Sequence, residues 1–378
     1  MLFRDKGPRV VISGYYGFNN CGDEAVLYAI IHCLRRLKPN VRITVLSNNP
    51  ESTRAMYNVR AVDRWSPFQV ARELFACHLF ISGGGSLIQD VTSVKSARYY
   101  LAVIRLARLL ARKTMIYGQG VGPLSDQKIR ERTASVFENC DEITVRDEGS
   151  ASLLREIGVK RDITVTCDPV LALSYEDIDR EEIREYLHEM NILDKDGRKH
   201  KPLLLVTVRR WKDDRHLPEV AALLDEQARK GWDVLLAPMH FPMDMQAIDI
   251  ISNLMNERLY CLGTSLSASQ FLALTAYADK VFSMRLHGLI FAMALGAPMI
   301  GLSYDPKVDG FMELAGLRRD CLSFEDFNRE SAESLIEDME SEPLIMLTIQ
   351  ERRRQELRDA AWDMAGRAVS LLSKEPRA

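Results

Sequence analysis

The sequence predicts an α/β chain made of two Rossmann-like halves, each with a parallel sheet, facing each other across a cleft. Three observations carry that prediction. Short β-branched runs alternate with helical stretches through the first half, a charged helix-prone stretch interrupts them, and a second series of apolar runs follows. Alternation of this kind specifies a parallel sheet with helices on both faces. A chain of 378 residues, 47% hydrophobic and 27% charged, has the size and composition of two globular domains.

In order along the first half, RVVIS (9–13), RITVLS (42–47), HLFIS (78–82), TMIYG (114–118), EITVR (142–146) and ITVTC (163–167) are the expected strands of a domain over 1–175. Residues 176–201, with a helical segment and then a polar turn, form the expected linker region. LLLVTV (203–208), DVLLAP (233–238), RLYCL (258–262), KVFSM (280–284) and PMIGLSY (298–304) follow as the strands of a second domain over 202–346. From about 347 to 378, Leu357, Ala360, Ala361, Met364, Ala368 and Leu371 recur at helical spacing and predict a long helix packing across the domain junction.

Composition and motif content narrow the function. A net charge of −3 gives no general reason to bind nucleic acid, so any anion site must be local. Seven scattered cysteines without CxxC spacing suit a reducing cytoplasm and give no zinc site, so no metal is expected. The N-terminus reads as leading into a first strand and not as a signal peptide, and no transmembrane span is expected. No GxGxxG followed by a ribose-binding acid, GxxxxGK[ST], GxSxG or HExxH occurs, which disfavours dinucleotide, P-loop, serine-hydrolase and zincin chemistry.

The stretch Ser283–Lys307 stands out: two strand ends flank one apolar helix and carry Arg285, His287 and Lys307. In open α/β sheets ligands sit beyond the carboxyl ends of strands, where a helix N-terminus offers free N–H groups to an anion. Arg285 bound to a structural carboxylate and His287 as an interior histidine are the alternatives. VTVRRW puts Arg209 and Arg210 at another strand end, where side-chain alternation lets only one face the cleft; APMHFPMD puts His240 and Asp244 beyond the next. Arginines, a lysine and a histidine together suit a ligand with both a phosphate and a carboxylate, such as phosphoenolpyruvate.

Three glycine-bearing segments follow strands of the first half. GYYGFNNCGDEAVL (14–27) carries Tyr15, Tyr16, Asn19, Asn20, Asp23 and Glu24 at a helix start, where the acids also suit capping. ISGGGSLIQD, with Gly83, Gly84 and Gly85, offers a nest of backbone donors or tight sugar packing, and YGQGVGP, with Gly118, Gln119, Gly120 and Gly122, is a third such loop. Arg98, Arg105, Arg108 and Arg112 recur at helical spacing on what is either a solvated face or one resting on anionic lipid headgroups.

The ordered set GYYGFNNCGDEA, ISGGGSLIQD, YGQGVGP, TVRDEGS, CDP, VRRW and SMRLHG followed by Lys307 resembles the polysaccharide pyruvyl transferases, most closely the CsaB-like enzymes of bacterial cell-wall polymers. The resemblance covers nearly the entire chain. It implies a GT-B-like fold and transfer of a pyruvyl group from phosphoenolpyruvate, as co-substrate and with no other cofactor, to a sugar as a cyclic ketal. The implied acceptor is N-acetylmannosamine in a lipid-linked secondary cell-wall polymer precursor, with the ketal on its 4- and 6-hydroxyls and a role in S-layer anchoring. By position, Arg209, Arg285, Leu286 and His287 match the donor-binding motif and Lys307 a basic residue beside it. His287, Arg285 and Lys307 are the implied catalytic set, with Tyr16, Asn19, Asp23, Glu24, Gly84, Gly85 and Gln119 on the acceptor side and Asp147 as a further acid/base candidate. A cytoplasmic protein at the inner face of the plasma membrane is expected, with peripheral membrane association and homo-oligomerisation both open. The competing readings are a GT-B glycosyltransferase using a nucleotide sugar and a non-catalytic sugar-binding protein of the same fold.

Overall fold

The computed structural model describes residues 7–91, 93–110, 112–341 and 343–373. The chain divides into two compact units, one running to Ala172 and resuming at Asp359, the other spanning Leu173–Arg358.

The first unit carries an eight-stranded sheet: β1 (Arg9–Ser13), β2 (Arg42–Ser47), β3 (Arg60–Asp63), β4 (Leu79–Ser82), β5 (Gly85–Ile88), β6 (Lys113–Val121), β7 (Glu142–Val145) and β8 (Thr164–Val165). The order is β3-β2-β1-β4-β6-β7-β8, with β5 also paired to β6, and every pairing is parallel. Its helices are α1 (Cys21–Leu37), α2 (Pro50–Tyr57), α3 (Pro67–Ala76), α4 (Val94–Leu109), α5 (Gln127–Phe137) and α6 (Glu148–Glu156). β1 and β4 read as continuous apolar runs because both faces of a parallel sheet are covered. Asn20, Asn49, Ser93, Asp126 and Asp147 each stop a non-helical approach by accepting a backbone N–H of the first turn.

The second unit carries β9 (Leu203–Thr207), β10 (Asp233–Leu236), β11 (Tyr260–Cys261), β12 (Lys280–Ser283), β13 (Met299–Ser303) and β14 (Cys321–Ser323), all parallel in the order β11-β10-β9-β12-β13-β14. Its helices are α7 (Glu181–Glu189), α8 (His216–Arg229), α9 (Met245–Leu254), α10 (Ala268–Thr275), α11 (Leu286–Leu295), α12 (Pro306–Leu314) and α13 (Arg329–Ser341). Strand order runs outward from β9 through β10 on one side and from β12 through β13 on the other, so the switch point lies between β9 and β12.

Several expectations change. Residues 176–201 fall within the second unit, where the expected helix is α7 and the polar turn is closed by an antiparallel bridge, Leu193 to Lys199. Ile183 and Leu187, one helical turn apart, are buried, Lys199 Nζ binds Asp279 Oδ2 at 2.5 Å, and the many charges lie outward. β3, β5 and β14 are strands that periodicity did not single out, because each has three or four residues and two begin or end on charge or glycine. The GGG segment therefore runs into a strand, and YGQGV is the end of β6 and not a loop.

The last helix, α14 (Pro343–Ser373), starts earlier than expected, and residues 374–378 of the expected helical region lie outside the described residues. It contributes to both units. Gln350 Nε2 donates to Ala297 O (2.8 Å) and Arg353 Nε to Leu314 O (2.5 Å) in the second, while Trp362 Nε1 donates to Ala172 O (3.1 Å) and Arg367 Nη1 binds Glu142 Oε1 (2.9 Å) in the first. Leu357, Ala361, Met364, Ala368 and Leu371 form a buried stripe as the helical spacing indicated, while Ala360 is only half-buried.

Candidate active site

The carboxyl ends of adjacent strands in the second unit carry three cations and a histidine. Arg209 follows β9, Arg285 follows β12, Lys307 lies in the first turn of α12 after β13, and His240 follows β10. Arg285 is the N-cap residue of α11, so Leu286 and His287 open that helix beside the switch point. Gly288 makes this approach feasible. A Cβ there would stand 2.5 Å from Ser283 Oγ and 2.9 Å from Thr207 Oγ1, so any side chain would push α11 off the ends of β9 and β12. Those two hydroxyls share a hydrogen bond of 2.5 Å across the two strands. Arg285 supplies no side-chain cap, so the first N–H groups of α11 supplement its charge toward an anion.

The arginines are fixed from behind. Asp244, 1% exposed, takes Arg285 Nε (3.1 Å) and Nη2 and also accepts the backbone N–H groups of Met239 (3.2 Å) and His240 (2.9 Å). Arg285 thus has the carboxylate partner that was the alternative to anion binding, but the partner takes only one edge of the guanidinium. Arg209 Nη1 donates to Tyr304 Oη (3.2 Å), and its guanidinium lies 5.2 Å from the Trp211 ring centroid and 5.1 Å from that of Tyr304. Neither partner neutralises it. Arg210 turns outward to Asp214 (2.6 Å), which leaves Arg209 as the one of the two arginines not held by a carboxylate. Lys307 is half-buried, and its ammonium has no hydrogen bond or ion pair with any described residue. The His287 ring lies 6.2 Å from Phe291, one turn along α11.

These charges leave a signature on the neighbouring histidine. Burial first, then the Arg285 charge and more weakly Arg209, lower the pKa of His240 below the usual 6.5, against the opposing pull of Asp244. His216, whose Nε2 lies 2.9 Å from Arg209 O, is lowered by burial. Each is depressed in the folded chain, so each contributes stability that is complete above about pH 6.5 and is lost as pH falls below that value through the folded pKa. An NMR titration is expected to show His240 protonating below pH 6.5 in the free chain and shifting upward with inorganic phosphate, which offsets the arginine charges. A His240 that ignores phosphate would argue against an anion site at Arg209 and Arg285.

In the first unit several expected residues prove to be interior. Tyr16, expected to face an acceptor, is fully buried: its ring lies against Gly14, and its hydroxyl occupies the space where a Gly83 side chain would stand. Burial raises its pKa well above the usual tyrosine value. Gln119 is likewise fully buried within β6. Gly84 is glycine because Val26 and Pro169 approach it, and the Asp23 carboxylate lies over Gly85, so these glycines serve close packing. Glu24 is structural. It accepts Gly17 N and Tyr57 Oη, both at 2.7 Å, and burial raises its pKa against those bonds. Asn19, exposed at φ 57, half-buried Asp23 and exposed Tyr15, stacked on Phe18 at 4.1 Å, are what this loop presents.

Two buried charges in this unit escaped the sequence reading. Arg64 is 5% exposed, bonded to Gly14 O (3.0 Å) and Tyr100 Oη (3.2 Å) and surrounded by the rings of Phe18, Trp65, Tyr99 and Tyr100. Arg146 reaches Ser86 Oγ at 2.9 Å and Asp168 at 3.8 Å. Arg64 stands just past a short apolar run and Arg146 ends one within the TVRDEGS motif, signals that also fit an exposed strand end. Asp147 caps α6 by accepting Ser150 N at 2.7 Å, which accounts for it structurally. Among the described residues no cluster of three or more His, Cys, Asp or Glu is placed to hold a metal.

A family model for polysaccharide pyruvyl transferases matches residues 20–306, well over half of the chain and including Arg209, Arg285 and His287. The chain belongs to the polysaccharide pyruvyl transferase family. Among solved structures it is similar to Anabaena HepE in complex with UDP-glucose (13% identity, TM-score 0.62, 97% of this chain and 100% of that one). It is also similar to the UDP-GlcNAc 2-epimerase of Neisseria meningitidis (12%, 0.63, 97% and 100%) and to a putative UDP-N-acetylglucosamine 2-epimerase of Listeria monocytogenes (12%, 0.65, 97% and 95%). At such identities the likeness is one of fold, an α/β architecture with two parallel sheets of GT-B-like type. No curated protein matches the sequence. Family membership makes this pyruvyl transferase chain an expected transferase of polysaccharide biosynthesis.

Proposed function

We propose that this pyruvyl transferase takes its pyruvyl group from phosphoenolpyruvate and places it as a cyclic ketal on the 4- and 6-hydroxyls of N-acetylmannosamine in a lipid-linked secondary cell-wall polymer precursor. The pyruvylated polymer would then serve S-layer anchoring. The observation that carries the donor half is the set Arg209, Arg285 and Lys307 at the carboxyl ends of β9, β12 and β13, with only Arg285 held by a carboxylate. The acceptor half rests on the sequence motifs shared with the CsaB-like members.

The chemistry assigns tasks to these groups. A proton goes to the methylene carbon of the donor, and the C2 cation that results is attacked by one sugar hydroxyl, which loses its proton. The C2–O bond to phosphate then breaks, inorganic phosphate leaves, and the second hydroxyl closes the ring with loss of its own proton. Arg209, Arg285 and Lys307 bind the phosphate and carboxylate, Leu286 helps shape the donor site, and His287 moves the proton as general acid or base. Asn19 and Asp23 are the acceptor-side groups retained from the N-terminal loop.

Incubation with phosphoenolpyruvate and an N-acetylmannosaminyl disaccharide carrier, followed by mass spectrometry, is expected to show the mass gain of one pyruvate ketal with release of inorganic phosphate. Transfer to a different sugar diol would overturn the acceptor. Release of nucleoside diphosphate from a nucleotide sugar, with no phosphoenolpyruvate consumed, would overturn the donor.

A further inference from the structure

The face built by α3 and α4 of the first unit has a composition that the proposed chemistry does not use. On α3 and the turn before it, Trp65, Phe68, Arg72 and Phe75 are all exposed, Phe68 at 78%. On α4, Lys95, Arg98, Arg105 and Leu109 recur along one outward stripe, Leu109 at 72%. The two helices pack against each other, and Arg112, just beyond α4, places its guanidinium 5.3 Å from the Phe75 ring centroid. Large apolar side chains and cations therefore interleave on one surface.

This surface differs from the ordinary charged helix faces of the same protein. Arg352, Arg353, Arg354 and Arg367 of α14 and Arg184 of α7 each hold an acid three or four residues away on their own helix. Such pairing is how a solvated helix face disposes of its charge. The 16 residues of α4 include no Asp or Glu, although the chain as a whole has 53 acidic residues against 50 basic ones. Arg72, Lys95, Arg98 and Arg105 have no ion pair or hydrogen bond with any described residue. Between α4 and α5 a shallow pocket of about 180 Å³ is lined by Arg105, Arg108, Leu109, Ser135, Val136 and Asn139, which combines guanidinium donors with an apolar wall.

We infer that the α3–α4 face is a docking surface for an anionic phospholipid bilayer. Cations attract the surface of such a bilayer, and Phe68, Phe75 and Leu109 enter its interfacial layer, with the arginine-lined pocket receiving a phosphodiester headgroup. Net negative charge elsewhere on the chain confines the attraction to this face. The inference does not depend on the donor or acceptor proposed above, and its test uses neither.

The full chain is mixed with vesicles containing roughly one-third phosphatidylglycerol in phosphatidylcholine, or phosphatidylcholine alone, and pelleted across a salt series. Binding is expected to the anionic vesicles alone and to weaken as salt rises. The double variant Arg98→Gln/Arg105→Gln is expected to lower the partition coefficient about 30-fold, from about fivefold per neutralised cation. Phe68→Ala/Phe75→Ala is expected to reduce the binding that survives high salt. All four side chains are exposed, so an unchanged thermal midpoint accompanies these effects; the salt series on the unaltered chain is an independent reading should a variant fail to fold. Equal binding to both vesicle types, no binding to either, or undiminished binding by the arginine variant overturns the inference. So does a dimer in solution that the same substitutions dissociate, which would assign the face to a second copy of the chain.

Discussion

His287→Ala is expected to lower turnover by about 10²–10⁴-fold while leaving the KM for phosphoenolpyruvate within a few-fold of its starting value. The split follows from the division of labour at the strand ends. Arg209, Arg285 and Lys307 are untouched by the substitution and continue to bind the donor, so ground-state binding is retained while the proton-transfer group is lost. His287 sits in the first turn of α11, half-buried, and its removal leaves the Gly288 contact with β9 and β12 in place. His287→Gln sharpens the result. It restores much of the volume and hydrogen-bonding capacity without an imidazole, so it should be as slow as the alanine variant. Turnover within about tenfold of the unaltered chain in both variants, against the larger losses that general acid–base catalysis predicts, would remove His287 from the chemistry.

The parts of the fold legible in the sequence were those whose signal is local. β1, β2 and β7 are where their β-branched runs place them, since a strand covered on both faces is a continuous apolar segment, here ending at Gly14, Asn48 and Arg146. The placement of Arg209, Arg285 and Lys307 beyond strands was local too, for Arg209 and Arg285 directly follow such a run and Lys307 comes three residues after one. What could not be read was whatever depends on partners remote in sequence. Tyr16 and Tyr15 are adjacent and chemically identical, yet one fills the space left by Gly83 and the other faces outward, and that choice is made by a strand end some distance along the chain. Glycine runs suffer the same ambiguity, because a loop that must approach a ligand and a turn that must admit Val26 both call for a missing side chain. On α4 the arginines were visible, but the aromatics of α3 that give them meaning come from the packing of the two helices.

Asp244→Ala is expected to destabilise the second unit by about 3–5 kcal/mol, the range for removing one partner of a buried ion pair. The size of the effect comes from three losses at one atom group. The Arg285 guanidinium, itself only 16% exposed, is left without its counter-charge, and the N–H groups of Met239 and His240 lose their acceptor at the start of α9. Asp244→Asn keeps one carbonyl acceptor and so should cost less. The pair Asp244→Ala/Arg285→Ala separates the contributions: deleting the stranded cation as well should recover part of the stability, because much of the single-variant cost is the uncompensated charge. Denaturant midpoints measure all three. Donor affinity should behave differently, falling in the double variant even as stability returns, because Arg285 is absent altogether. If Asp244→Ala shifts stability by less than about 1 kcal/mol, a surface pair's value, the carboxylate is not what holds Arg285 at the end of β12.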